Sequence, residues 1–349
     1  MKPSSRRCSF KIQVLFCLLS AGGGLVHAEN WPCWRGPRGD GTSAEKQVPV
    51  RWDGVSGENI AWKTPLPGRG HSSPIVWGDQ LFLVSCVEEN QARVLFSLDR
   101  HSGRILWQRP VISAPLEKRH NLNSHASGTP ATDGQLVYVT FLEADFGSTK
   151  EVTPGNLVVA AYDFDGNQRW LVRPGRFSSV HGFCSSPIIF EDLVIVNGDH
   201  DGDAYIVALE RASGRIRWKT PRENKTRSYC TPIIREIDGR TQMIFSGSLC
   251  VVSMDPRDGS RHWIIDGPTE QFVASLVYNG QLLFLTAGFP EHHILAIKPD
   301  GRGNVTDSHI VWRTTKGCSY VPSPIVSGDY FLVAADNGIC SCFVAARGE

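Results

Sequence analysis

Histidine, arginine and tyrosine recur at matching stations in this chain, each a few residues ahead of a short apolar run. Arg69 and His71 precede Ser73-Pro74, His120 and His125 precede Pro130, and His181 precedes Pro187. Arg227 and Tyr229 precede Pro232, Gln271 and Phe272 precede Ser275, and Tyr320 precedes Pro324. Side chains of these types supply hydrogen-bond donors, cations and stacking faces, a set that suits an anionic, sugar-like or quinone-like ligand. The plain alternative is a rim that is polar because it is wet. A second cluster, Asp199-His200-Asp201-Gly202-Asp203, places three alternating carboxylates on one turn, and hard oxygen ligands of this kind hold calcium. It lacks the distal bidentate glutamate of an EF-hand, which leaves a solvated turn as the competing reading.

Six separated stations meet in one place only if the chain repeats. Trp62, Trp107, Trp170, Trp218, Trp263 and Trp312 recur at roughly the 45 to 50 residues that a four-stranded propeller blade takes. Most of them close one motif. It reads Leu-Asp-x-x-Ser-Gly-x-x-x-Trp from Leu98 to Trp107, Leu-Glu-x-x-Ser-Gly-x-x-x-Trp from Leu209 to Trp218, and Met-Asp-x-x-Asp-Gly-x-x-x-Trp from Met254 to Trp263. Asp163 to Trp170 is a shortened copy and Ile297 to Trp312 a stretched one. Gly103, Gly214 and Gly259 relieve the turn between third and fourth strands, and the acid four positions earlier accepts bonds from that turn's amides.

Ahead of each motif lie a proline-led inner strand and a tight hairpin. In the first repeat these are Ser73 to Val76, the Gly78-Asp79 turn, Leu81 to Ser85, Val94 to Leu98 and Arg104 to Gln108. The hairpin signal returns at Asp133-Gly134, Glu191-Asp192, Asp238-Gly239, Asn279-Gly280 and Gly328-Asp329, where positive φ is tolerated. A proline that cannot donate to a ladder belongs at a strand's first residue. Tryptophan buries its flat face against a neighbouring blade, so stacking needs both partners.

The motif resembles the tryptophan-docking motif of β-propeller repeats of the pyrroloquinoline-quinone (PQQ) type, Ala-x-Asp-x-x-Thr-Gly-x-x-x-Trp, over about Asn59 to Gly348. That resemblance implies an all-β propeller of four-stranded antiparallel blades, with six repeats visible over residues 59–349. Asn59 to Lys63 reads as a lone fourth strand and the last repeat stops after Gly348, with Val344 where the motif has an acid. An incomplete seven- or eight-bladed ring is therefore expected, and a closed six-bladed ring is the alternative. The superfamily holds both quinoprotein alcohol dehydrogenases and the assembly factor BamB, so the repeat by itself does not choose a chemistry.

Relatives that are quinoprotein dehydrogenases carry an adjacent Cys-Cys pair, a catalytic Asp, and calcium-binding Glu and Asn. No Cys-Cys dipeptide occurs here, no inner-strand start supplies a carboxylate base, and Asp53 and Glu270 belong to no matched motif. Nor is there a nucleophile elbow, a phosphate loop or a His-Glu-x-x-His helix. The expectation is a non-catalytic scaffold that binds an envelope protein or a small ligand at Arg69, His71, His125, His181, Arg227, Tyr229 and Tyr320. No cofactor is expected; PQQ with calcium, the latter at Asp199, Asp201 and Asp203, is the enzyme alternative. Glycan binding through Trp31, Trp34 and the His/Tyr ring is a third. The longest interruption, Glu143 to Asn156, is suited to covering the channel or touching a partner.

Lys2, Arg6, Arg7 and Lys11 precede an apolar stretch from Ile12 to Leu19, and Val26-His27-Ala28 offers a cleavage site, so residues 1–28 read as a secretory signal peptide. Cys17 follows Val14-Leu15-Phe16, which is no lipidation box, and a periplasmic or secreted protein without a stable membrane anchor, monomeric or in a complex, is expected. Residues 29–58, rich in Gly, Pro and Trp, read as a lead-in strap packed over the propeller. The whole chain has 36 Lys and Arg against 35 Asp and Glu, and the leader takes four of the basic residues, so the mature chain is slightly acidic. That argues against nucleic acid. Eight cysteines remain after the leader, an even count in an oxidising compartment, read either as free buried thiols or as partly paired.

Overall fold

Every proline-led run becomes an inner strand and every Gly-containing dipeptide a hairpin in the computed structural model, which describes residues 28–147 and 152–349. The leader thus lies, but for Ala28, outside the described residues. The first sheet comprises β1 (Ile75–Trp77), β2 (Gln80–Val87), β3 (Ala92–Asp99) and β4 (Ile105–Ser113). The second comprises β5 (Ala131–Thr132), β6 (Leu136–Ala144), β7 (Thr153–Asp163) and β8 (Gln168–Ser179), and the third β9 (Ile188–Phe190), β10 (Leu193–Gly198), β11 (Tyr205–Glu210) and β12 (Ile216–Pro221). In the fourth are β13 (Ile233–Ile237), β14 (Arg240–Gly247), β15 (Cys250–Met254) and β16 (Arg261–Asp266). Then come β17 (Val277–Tyr278), β18 (Leu283–Ala287), β19 (His293–Ile297), β20 (Gly303–Asn304) and β21 (Ile310–Thr314). Of these β20 leaves its neighbours and lies parallel to β16 as a fifth strand of the fourth sheet. The sixth sheet has three strands, β22 (Ile325–Ser327), β23 (Tyr330–Ala334) and β24 (Cys340–Val344). Within each sheet the order follows the chain and all other pairings are antiparallel, the meander of a β-propeller blade.

Burial follows position in the blade. The middle strands β10 and β15 are buried along their whole length, because a middle strand has a neighbouring sheet against each face, whereas outer strands such as β4 and β12 alternate with solvent. At the junctions the glycine turns take the indoles. A Cβ on Gly103 would stand 2.3 Å from the Trp62 ring, one on Gly214 2.7 Å from Trp170, one on Gly259 2.7 Å from Trp218, and one on Gly348 2.6 Å from Trp312, and all four glycines have positive φ. Gly214→Ala is accordingly expected to cost about 2–4 kcal/mol, from left-handed strain plus overpacking. Gly239→Ala, at φ 69° with nothing within 4 Å, carries only the strain and should cost about 1 kcal/mol, the contrast being read from urea melts.

Inner strands are joined by a device that uses the residue before the proline, or Ser275 where Leu276 stands in the proline's place. Ser73 N–H donates to Thr129 Oγ1 (3.0 Å), Thr129 N–H to Ser186 Oγ (3.0 Å), and Ser275 N–H to Ser323 Oγ (2.9 Å). Val344 does not spoil the last turn as its missing acid suggested: Gly348 N–H still donates to Val344 O at 2.8 Å and Trp312 still docks. The turn is held by backbone bonds, and the acid only adds a cap. Asn59 to Lys63 pairs with no strand of the sixth sheet among the described residues.

The lead-in segment runs among the inner strands and not over the sheets. Trp31 forms an antiparallel bridge with Val76, Thr132 N–H donates to Pro32 O (2.8 Å), and Trp34 Nε1 donates to Ser275 Oγ (2.9 Å). An Arg35 Nη donates to Pro324 O (2.7 Å), Arg235 donates to Arg38 O, and Ile188 and Ile189 help to line a cleft with Cys33 and Trp34. Residues 31–39 thus bond to strands of the first, second and fourth sheets and to the residues leading into the fifth and sixth. The eight described cysteines are all free thiols, and burial pushes Cys184 up to about 12.

Candidate functional site

The loops that carry the candidate residues, from each outer strand to the next inner strand, share one face with the loops between second and third strands. On that face His120 and His181 meet edge to face at 5.7 Å, and His181 lies 6.3 Å from the Tyr229 ring. Arg227 is 2.6 Å from Asp201 and 3.7 Å from Glu270. Gln271 Nε2 approaches Glu270 at 3.4 Å, and Tyr320 Oη donates to Gln271 Oε1 at 2.9 Å. Asp336 caps the Tyr320 amide at 2.7 Å. His181, Arg227, Tyr229 and Tyr320 are therefore joined into one polar track contributed by the loops of successive sheets.

Three predicted members stay outside that track. Arg69 forms a backbone bridge with Cys86, and His71 N–H bonds to Ala126 O and Ser124 Oγ, both fixed by main chain with the side chains open to solvent. His125 is buried: its Nε2 lies 2.9 Å from Glu117 O and its Nδ1 3.5 Å from Glu88. The Asn123 to Ser127 segment folds on itself through Asn123 Oδ1 and Ser127 Oγ, which turns His125 inward.

Protonation on the track follows burial. Burial first, then the positive charges of Arg227 and His120, hold His181 below the ordinary histidine value, whereas burial raises Tyr229 and Tyr320. Folding thus opposes protonation of His181, so the stability linked to it is present above about 6.5, the unfolded value, and falls as the pH drops through the folded midpoint. The C2-proton titration of His181 should show a midpoint below 6.5, and Arg227→Met should move it upward. An unmoved midpoint would mean that Arg227 exerts no field there.

Asp199, Asp201 and Asp203 do not form a calcium loop. Asp199 is buried against Arg222 at 2.9 Å, Asp201 pairs with Arg227, and the exposed Asp203 pairs with Lys225 at 2.6 Å. The chain reverses through close bonds from Gly202 N–H to His200 O (2.9 Å) and Ala204 N–H to Gly202 O (2.7 Å), and each carboxylate is held by its own cation. Among the described residues no group of three acidic, histidine or cysteine side chains is arranged to hold a metal ion. Burial pushes the Asp199 carboxyl up, and Arg222 opposes that.

What the residue types did not reveal is the contrast between faces. Leu122, Phe146, Leu249, Phe289, Val321 and Ile339 are all exposed, and all lie on loops of the face that carries the polar track. In the opposite-face turns that join strands within the six sheets no large apolar side chain is exposed among the described residues, and ion pairs such as Asp133–Arg211 and Glu191–Arg257 take that place; the exposed Trp52 and Val55 lie in the segment ahead of the first sheet. Single apolar residues in loops have no periodicity, so only the fold could gather them.

Comparison with known proteins agrees with this architecture. A family model described as outer membrane protein assembly factor BamB matches residues 42–145 and 97–349. BamB from Moraxella catarrhalis superposes with a TM-score of 0.54 at 15% identity, covering 80% of this chain and 74% of that one. A europium-containing methanol dehydrogenase gives a TM-score of 0.55 at 12% identity, covering 79% of this chain and 67% of its own. No curated protein matches the chain. Identities this low speak for the shared propeller alone.

Proposed function

This chain belongs to the family of outer membrane protein assembly factor BamB, and from that membership we propose that it is a non-catalytic binding propeller, periplasmic or secreted after cleavage near Ala28, that engages an envelope protein through its loop face. The observation that carries the reading is the apolar loop face set against an ion-paired turn face. Exposed apolar groups interspersed with histidine, arginine and tyrosine are the composition of a protein interface, and a face without them is ordinary wet surface. The charged groups on the track are already engaged with one another, Arg227 with Asp201 and Glu270, which suits a preorganised surface. The family's description as an assembly factor supports a protein partner. No helix among the described residues is long and apolar enough to cross a membrane.

A photo-crosslinking residue at Phe289 or Leu122 is expected to capture one discrete envelope protein, and the same residue at Asp238 on the turn face to capture none. Phe289→Asp combined with Val321→Asp should abolish the adduct with the fold intact. Alcohol oxidation on addition of PQQ and calcium, with a quinone absorption band, would overturn the non-catalytic reading.

A further inference from the structure

Two loops of the face that carries the polar track hold three histidines: residues 114–130 between β4 and β5 contribute His120 and His125, and residues 180–187 between β8 and β9 contribute His181. His120 is built into a turn. Asn123 N–H closes it on His120 O (2.9 Å), and within it the Leu122 N–H donates to His120 Nδ1 (3.2 Å). In ordinary turns asparagine or aspartate makes this inner bond through a side-chain oxygen. An imidazole in that place accepts only while Nδ1 carries no proton, so the turn as built requires a neutral ring. What it presents is Leu122, 78% exposed.

One carbonyl straps this turn to the next loop. His181 O accepts from His120 N–H (3.3 Å) and from Asn123 Nδ2 (2.7 Å), and a Cβ on Gly182 would stand 3.0 Å from that of Arg119. The His120 and His181 rings meet 5.7 Å apart, nearly perpendicular. Arg119 donates to His120 O (3.2 Å) and Asn123 O (2.6 Å), and Lys118 precedes it in the chain. After burial, Arg227 and His120 hold His181 below the ordinary histidine value. The carboxylates of the surroundings are committed to arginines: Glu117 to Arg93 (2.6 Å), Asp201 to Arg227 (2.6 Å), and Glu88 to Arg119 (3.5 Å), with His125 Nδ1 also 3.5 Å from Glu88. Among the described residues no carboxylate forms an ion pair with His120 or His181. The Tyr229 ring, 6.3 Å from His181, adds no charge.

We propose that the His120–Asn123 turn is an acid-opened latch on the loop face, holding Leu122 in place for the partner near neutral pH and letting it go in acid. A proton on His120 removes the acceptor of the Leu122 amide and sets two donors against each other at Nδ1. It also places a new cation among Arg119, Arg227 and the His181 ring, with no carboxylate left to receive it. In the opened turn water solvates both rings, so opening takes up protons and is favoured as the pH falls. His125 is not the trigger: it is buried, its Nε2 donating to Glu117 O and its Nδ1 facing Arg119 Nε at 3.4 Å. The latch deepens the protein-binding reading of the loop face, and its release of a partner rests on that reading.

The first measurement needs no partner. Protection of the Leu122 amide against hydrogen exchange, relative to an unstructured chain at the same pH, should fall at least tenfold between pH 7.5 and 5.0 and follow the C2-proton titration of His120. His120→Asn keeps an acceptor where Nδ1 stands but takes up no proton, and it should leave the amide equally protected at both pH values. Its protection at pH 7.5 also shows that the variant folds. The second measurement places a photo-crosslinking residue at Phe289: adduct yield from an envelope extract should drop at least fivefold over the same range in the parent chain and stay level with His120→Asn. Protection that ignores the His120 titration, or an adduct lost in acid equally from both chains, overturns the latch. Absence of an adduct at either pH overturns the protein-binding reading instead, and amide protection then decides by itself whether the turn opens.

Discussion

Arg93→Leu is expected to lower the free energy of unfolding by about 3–5 kcal/mol, the loss typical of stranding one partner of a buried ion pair. Arg93 and Glu117 are both buried, with 2.6 Å between Nη2 and Oε2. The guanidinium also donates to Ala114 O (2.6 Å) and Pro115 O (3.1 Å), so one side chain on β3 anchors the segment that leaves β4 toward the loop face. Without it Glu117 is a buried carboxylate facing open carbonyls. Adding Glu117→Leu should recover much of the loss, though not all, because the two carbonyls remain unpaired. Urea midpoints at constant slope measure both variants; a double variant as unstable as the single would show that the charge pair is not the source.

Trp263→Ala should cost about 3–5 kcal/mol, the range for large aromatic truncations in a packed core. Its ring is completely buried, and Nε1 donates to Gln242 Oε1 (2.8 Å) as well as to Pro299 O. Gln242 in turn accepts from Ser253 Oγ and donates to Pro299 O, so one deletion opens a cavity and loosens a buried polar network. Trp62→Ala, with a half-exposed indole and one bond to Arg100 O, should cost clearly less. Equal losses at the two sites would mean that burial does not set the strength of these junctions.

The contrast between those two tryptophans marks how far the residues spoke for themselves. Spacing located the turns at Gly103, Gly214 and Gly259 and the indoles that dock on them, since both depend on local chemistry repeated in phase. It did not foresee that the stretched copy ending at Trp312 sends β20 back to pair with β16 at Trp263 and Ile264, because a two-residue parallel strand has no pattern of its own. The turn ahead of Trp62, in which Gly57 N–H donates to Asp53 O as Gly103 N–H does to Asp99 O, was missed for a related reason: one extra residue between Gly57 and Trp62 breaks the count. At the mouth, His181, Arg227, Tyr229 and Tyr320, singled out by residue type, come together on one track, whereas His125 is buried because its loop folds against Glu117. The apolar loop face was invisible for want of period, and Asp199, Asp201 and Asp203 do share one turn, but each is drawn to a separate cation, Arg222, Arg227 and Lys225, that residue spacing does not show.

The segment that bonds both the first sheet and the residues leading into the last has a kinetic consequence. Trp34 bonds a residue 241 positions later and Arg35 one 289 positions later, so their seats come into being only after the remaining sheets have collapsed together. Closing so long a loop costs entropy that is recovered only once both ends are in place, so these contacts are expected to form late. Residues 31–39 thus act as a late clasp, one that governs how slowly the assembled molecule comes apart far more than how quickly it comes together.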